Sequence, residues 1–247
     1  MSEDHRLLTF DDFRTRAADD AKSQNEKIGF PDSYRAGSEE AIFADIVAKL
    51  PALAESGKVV VDIGCGCGPL AQLMMSHCAK YNHRLIMVDS AEMLGLLSPP
   101  SGTELRAQRF PQDTSFLKEF GGAVDAALLY SVIQHEFISG DLWSMFDAVC
   151  MLLSGGGRAL LGDIPNRSMR TRLFSSETGR AFHRAFTGSD SEPPIPPYGL
   201  TPGEMDDAVV LSLLTRARNQ GIHGYVLPQP DELPFFNRRE DILLHRP

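Results

Sequence analysis

Two carboxylates flank a glycine-rich stretch in this chain. Asp62 closes the apolar run Val59-Val60-Val61, and Gly64, Gly66 and Gly68 follow; Asp89 closes a second apolar run about 20 residues beyond the loop. Glycines let the backbone turn sharply and let a ligand lie against bare main chain. The helix expected after the loop offers unpaired N–H groups at its start. A carboxylate at the second strand tip suits the hydroxyls of a ribose. A carboxylate just before the loop attracts an ammonium and repels a pyrophosphate. The spacing is G-x-G-x-G rather than G-x-G-x-x-G, and no second mononucleotide half follows, which argues against a dinucleotide. The pattern suits a nucleoside joined to an amino acid. Its plain alternative is a turn that only packs helix on strand.

Such groups need alternating strands and helices to hold them. Apolar runs at 58–62, 84–89, 124–130, 158–164 and 222–227 read as strands, with a weaker one at 103–109 and a last one at 241–245. Helical patterns fall at 38–54, 70–79, 91–97, 141–153 and 205–219. Residues 165–204, rich in Ser, Pro and Arg, read as an insertion with one helix near 175–186 that covers an acceptor. The expected organisation is one domain: an arm and cap helix over 1–56, a ligand-binding core over 57–164, the insertion, and a C-terminal part over 205–247. Alternation predicts an α/β fold, a mostly parallel sheet with helices on both faces and its ligand at the carboxyl ends of the strands. That places chemistry after Asp62, Asp89, Tyr130 and Ile164.

The 247 residues carry a net charge of −9, which argues against wholesale binding to a phosphate backbone. No apolar run approaches membrane-spanning length and the start resembles no secretory signal, so a cytoplasmic protein is expected. Cys65, Cys67, Cys78 and Cys150 form no C-x-x-C pair, giving no support for zinc.

VVVDIGCGCG, LIMVDSAEML and VDAALLYSVIQHE together resemble the motif set of class I S-adenosylmethionine-dependent methyltransferases, over about residues 57–165. The resemblance implies a Rossmann-like seven-stranded sheet with an antiparallel last strand. It implies S-adenosylmethionine as cofactor, with Gly64, Cys65 and Gly66 under its methionine part and Asp62 toward its ammonium. Asp89 would bind the ribose, Ser90 and Met93 the adenosine, Gln112 and Asp113 the adenine, and Tyr130 and Ser131 the sulfonium end. KIGFPDSYR, GDIPN, FSSETGRAFH and LPQPDELPFFNRREDIL resemble a bacterial subgroup found with capsule and surface-polysaccharide pathways.

On that footing the residues beyond the cofactor motifs concern an acceptor. His135 stands just past the fourth strand, where a neutral imidazole can take a hydroxyl proton; a packing histidine fits equally. His183 is a weaker candidate. Asp163, a second catalytic candidate, and Asn166, a candidate acceptor contact, follow the fifth strand. They offer oxygen ligands, but no third acid stands at a suitable spacing, so no metal is expected. Arg167, Arg170 and Arg172 suit phosphate or carboxylate, or else a solvated helix face. Phe236, Asn237 and Arg238 lie in a proline-stiffened loop, and in the arm Tyr34 is expected on the cofactor and Arg35 on the acceptor, where closure would bring an aromatic and a cation to the pocket. The expected partner is a small phosphorylated or sugar-linked acceptor methylated on oxygen, without membrane or nucleic acid; oligomerisation is left open. An N-methyltransferase, an RNA methyltransferase and a non-catalytic cofactor-binding subunit are the alternatives. Tyr130-Ser131-Val132-Ile133 lacks the Asn/Asp-Pro-Pro-aromatic pattern frequent in N-methylating nucleic-acid enzymes.

Overall fold

The computed structural model describes residues 8–32, 37–195, 197, 199 and 201–247. Its strands are β1 (Val59–Ile63), β2 (Arg84–Asp89), β3 (Thr103–Ala107), β4 (Val124–Tyr130), β5 (Leu153–Pro165), β6 (His223–Pro228) and β7 (Arg239–His245). Among the described residues they form one seven-stranded sheet in the order β3-β2-β1-β4-β5-β7-β6. β1 to β5 pair in parallel, and β7 runs antiparallel between β5 and β6. This is the mostly parallel sheet with an antiparallel last strand that the alternation and the motifs implied.

Strand side chains alternate between faces, and both faces here are covered, so the strands are apolar almost throughout. Val60, Leu85, Met87 and Leu128 pack against α3 (Glu39–Lys49) and α4 (Pro69–Lys80). Val61, Ile86, Val88 and Leu129 pack on the other side against α6 (Thr114–Phe120), α8 (Leu142–Leu152) and α11 (Asp207–Asn219). α5 (Ala91–Leu94) joins the first set through Met93 and Leu94, and α7 (Ile133–Ser139) the second through Ile133. The chain runs outward through β1, β2 and β3, then returns to place β4 on the other side of β1. The carboxyl ends of β1 and β4 therefore bound the crevice where open α/β sheets take ligands.

Several element boundaries differ from the sequence reading. The helix expected over 38–54 ends at Lys49, because Pro51 starts a separate 3-10 turn, Pro51–Ala54. The insertion carries two helices, α9 (Arg167–Ser175) and α10 (Glu177–Thr187), rather than one; Ser176 ends the first and its Oγ accepts from Gly179 N at 3.0 Å to cap the second. The arm forms α1 (Phe10–Ala17) and α2 (Gln24–Lys27), each opened by a capping box, Thr9 with Asp12 and Ser23 with Glu26.

Candidate active site

A cleft with about 890 Å³ of space free of protein atoms, its open mouth included, lies over the β1 and β4 tips. Its floor is the loop between β1 and α4. Gly64 and Gly66 have φ of +70° and +63°, and a Cβ on them would stand 2.6 Å from Val132 and 2.7 Å from Ile28. Only glycine meets both conditions. Gly68 caps α4 and Pro69 takes its first turn, so the N-terminus of a 12-residue helix opens beside the loop.

Asp62 shares the sheet face of Val60, is 4% exposed and lies next to the lining residue Ile63 without itself lining the cleft. No hydrogen bond reaches its carboxylate among the described residues. Burial, and then the neighbouring Asp89, push its pKa up to about 7. Asp89 lines the cleft and accepts from Gly66 N at 2.8 Å and Ser90 N at 2.7 Å. Burial raises its pKa while those two N–H groups oppose the rise. Neither acid has an ion-pair partner among the described residues, so two desolvated carboxylates bracket the bare loop. Ser90 caps α5 by accepting from Met93 N at 3.2 Å, which turns the buried Met93 side chain into the wall. Cys65 lines the floor; burial and the two acids push its thiol well up, so it stays un-ionised.

Tyr130 and Ser131 reach the cleft from the β4 tip. Gly162 lies opposite Tyr130 in the register, and a Cβ there would stand 2.4 Å from its ring, so the absent side chain is what seats the tyrosine. Ser131 and Asp163 both adopt φ of +60°, a strained conformation for such residues that needs locking. The lock is visible: Ser131 Oγ donates to Asp163 Oδ2, and Arg239 pairs with the same carboxylate at 2.5 Å. Asp163 N donates to Asp241 Oδ1 at 2.8 Å. Asp241 is fully buried and also accepts from Gln229 at 3.0 Å and Lys49 at 2.7 Å. Asp163, expected among the catalytic residues, lies outside the cleft lining and bonds the Ser131 side chain.

His135 does line the cleft. Its Nδ1–H donates to Leu8 O at 2.9 Å, which fixes the tautomer and makes Nε2 the acceptor. Only Gln134 Nε2, at 3.4 Å, approaches that nitrogen among the described residues. Burial lowers the imidazole pKa to about 4 and Arg239 adds to the effect, against the Leu8 carbonyl, so the ring is neutral. Phe13 meets it edge-on at 4.8 Å. Glu136, next along, is buried at the cleft wall and accepts from Arg109 at 2.9 Å and Ser139 at 3.0 Å.

Other expected site residues are placed elsewhere. Gln112 and Asp113 are exposed and away from the cleft, and Asp113 caps α6 through Ser115 N at 2.8 Å. Asn166 is buried as the cap of α9, its amide held by Asp207 and Glu240. Arg167 pairs with Glu204 at 2.6 Å and Arg172 with Asp207 at 2.5 Å, so these two are matched within the chain instead of awaiting an anion. Arg170 lies over Phe174. Phe236, Asn237 and Arg238 form a short 3-10 turn outside the cleft lining, with Arg238 over Phe235 and Phe174. Tyr34 and Arg35 lie outside the described residues. The sequence reading missed the arm's own contribution: Phe10, Phe13, Ile28 and Phe30 all line the cleft. A cluster of aromatics ahead of the first long helix was the available signal.

No family model matches the chain, and no curated protein matches it in sequence. Solved structures do match in fold. The carbon methyltransferase CurJ superposes with a TM-score of 0.57 at 13% identity, over 87% of this chain and 57% of its own. The plantazolicin methyltransferase BamL, solved with a triazolic desmethylPZN analogue and SAH, gives 0.56 at 12% identity over 95% and 97%. The N-methyltransferase NodS from Bradyrhizobium japonicum WM9, in complex with S-adenosyl-L-homocysteine, gives 0.54 at 12% identity over 96% and 98%. This chain therefore spans little more than half of CurJ and nearly all of BamL and NodS. One frame serving carbon and nitrogen methylation does not choose an acceptor. The chain carries the Rossmann-like fold of methyltransferases.

Proposed function

We propose that the chain is an S-adenosylmethionine-dependent methyltransferase acting on an oxygen of a small molecule. The observation that carries this reading is the pair Asp62 and Asp89, desolvated on either side of a bare glycine loop with no cation of the described chain to answer them. S-adenosylmethionine fits that donor set: an ammonium for Asp62, buried just beneath the cleft lining, ribose hydroxyls for Asp89, a flat heteroaromatic base beside Met93 and Phe110, and no phosphate to be repelled. When bound it supplies a methyl on a positively charged sulfur, whose C–S bond breaks with the electron pair kept by sulfur as the acceptor oxygen bonds the methyl.

The chain's own residues align and desolvate. Tyr130 and Ser131 hold the strand tip beside the reacting end, and the arm aromatics exclude water. His135, kept neutral by burial and presenting Nε2 as acceptor because Nδ1–H is held by Leu8 O, takes the proton that leaves the acceptor hydroxyl. The narrower setting, an acceptor in surface-polysaccharide biosynthesis, is supported by the resemblance of the terminal motifs.

Calorimetry with S-adenosylhomocysteine tests the reading. Micromolar binding is expected for the wild type, and a loss of at least about tenfold for Asp89→Ala. Unchanged affinity in that variant, or binding of a nicotinamide dinucleotide instead, refutes it.

A further inference from the structure

The cleft wall left over after the cofactor groups are assigned has a consistent character. Three phenylalanines of the arm, Phe10, Phe13 and Phe30, face it together with the ring of His135. Its charged described residues are Asp89 and Glu136, both acidic, and no Lys or Arg is among the described lining residues. The nearby guanidiniums are answered already: Arg109 by Glu136 and Asp141, Arg239 by Asp163. A phosphate entering here would lose its water opposite carboxylates and gain no unmatched cation among the described residues. A ring with hydroxyls loses little: its faces lie on aromatic surface and one hydroxyl meets His135 Nε2.

We infer that the acceptor presents an uncharged, hydroxyl-bearing ring to the wall formed by Phe10, Phe13, Phe30 and His135. Any anionic group it carries stays outside the cleft. The inference rests on the methyltransferase reading and narrows its substrate class. It also revises the phosphorylated acceptor that the arginines of the insertion suggested.

The test uses the full chain saturated with S-adenosylhomocysteine and two matched pairs of probes, 2-naphthol with 2-naphthyl phosphate and methyl β-D-glucopyranoside with glucose 6-phosphate, titrated by calorimetry or ligand-observed NMR. At least one uncharged member should bind, with its phosphorylated partner roughly tenfold weaker or worse. The naphthol and glucoside arms separate a phenolic from a sugar ring. Phe30→Ala should weaken the bound ring several-fold and leave S-adenosylhomocysteine within about twofold. Tighter binding of either phosphate, or no binding of both uncharged rings, overturns the inference. If S-adenosylhomocysteine itself fails to bind, the methyltransferase reading falls first and takes this one with it.

Discussion

Asp62 and His135 illustrate how burial sets the chemistry of single residues here. Asp62 holds its proton up to about pH 7 in the ligand-free chain, well above its unfolded value. A carboxyl whose folded pKa is raised binds its proton more tightly folded than unfolded, so this residue's contribution to stability declines as pH rises toward 7 and is level above. Asp62→Asn removes that dependence. In thermal or urea unfolding, its stability relative to wild type should improve by roughly 3 kcal/mol between pH 5 and pH 8; a pH-independent difference would place the carboxylate in a compensated environment. An ammonium brought by a ligand reverses the preference, so wild-type affinity for S-adenosylhomocysteine should fall as pH drops below about 7, and Asp62→Asn should lose this slope. His135 is displaced in the other direction, to about 4. It stays neutral across the range where enzymes are assayed, so its own titration should not depress turnover between pH 8 and pH 6. His135→Gln should lower kcat about 10²-fold to 10⁴-fold with cofactor affinity nearly unchanged. Near-normal kcat at saturating acceptor would leave the ring only its anchoring bond to Leu8.

At the scale of elements, the β5–β7 pair braces the site through buried charge. β5 and β7 bring Asp163, Arg239 and Asp241 together, and α3 delivers Lys49, which reaches Asp241 at 2.7 Å and Asp45 at 2.6 Å. Asp241 is fully buried, and burial raises its pKa against the pull of Lys49. Removing one partner of such a pair leaves an uncompensated charge, which is costlier than never having built it. Lys49→Met should therefore destabilise the chain by about 3–5 kcal/mol in urea unfolding, with Lys49→Met/Asp241→Asn recovering part of the loss. A cost under about 1 kcal/mol would show the network to be solvent-screened. The arm is attached more lightly. Arg14, which is exposed, pairs with the partly exposed Glu92 at 2.7 Å, and Leu8 O accepts a hydrogen bond from His135 Nδ1–H. Its hold on the core comes chiefly from apolar contacts such as Ile28 against the glycine loop.

For the whole molecule, the acidic balance and the placement of its cations agree. The net charge is −9, and two of the three arginines of α9, Arg167 and Arg172, are matched with Glu204 and Asp207, with Arg170 over Phe174. Fluorescence anisotropy with a labelled single-stranded RNA at physiological salt should show no binding up to about 50 μM; micromolar, salt-sensitive binding would revive the RNA alternative. No helix among the described residues is long and apolar enough to cross a membrane.

The strand-helix alternation, the glycine floor and the two acids at successive strand tips were legible in the amino-acid order because they are local. Apolar periodicity, turn residues and the spacing between neighbouring parallel strands all act over short stretches of chain. The same reasoning did not foresee the intrachain partners of Asp163, Asn166, Arg167 and Arg172, which lie far away in sequence: Arg239 meets Asp163 across 76 positions and Asp207 meets Arg172 across 35. An isolated polar residue near a strand tip looks the same whether it faces a ligand or another side chain of the fold. Only the register of β7 against β5 and the path of the arm over the sheet decide which charges are answered within the chain, and that the cleft is walled by phenylalanine rather than arginine.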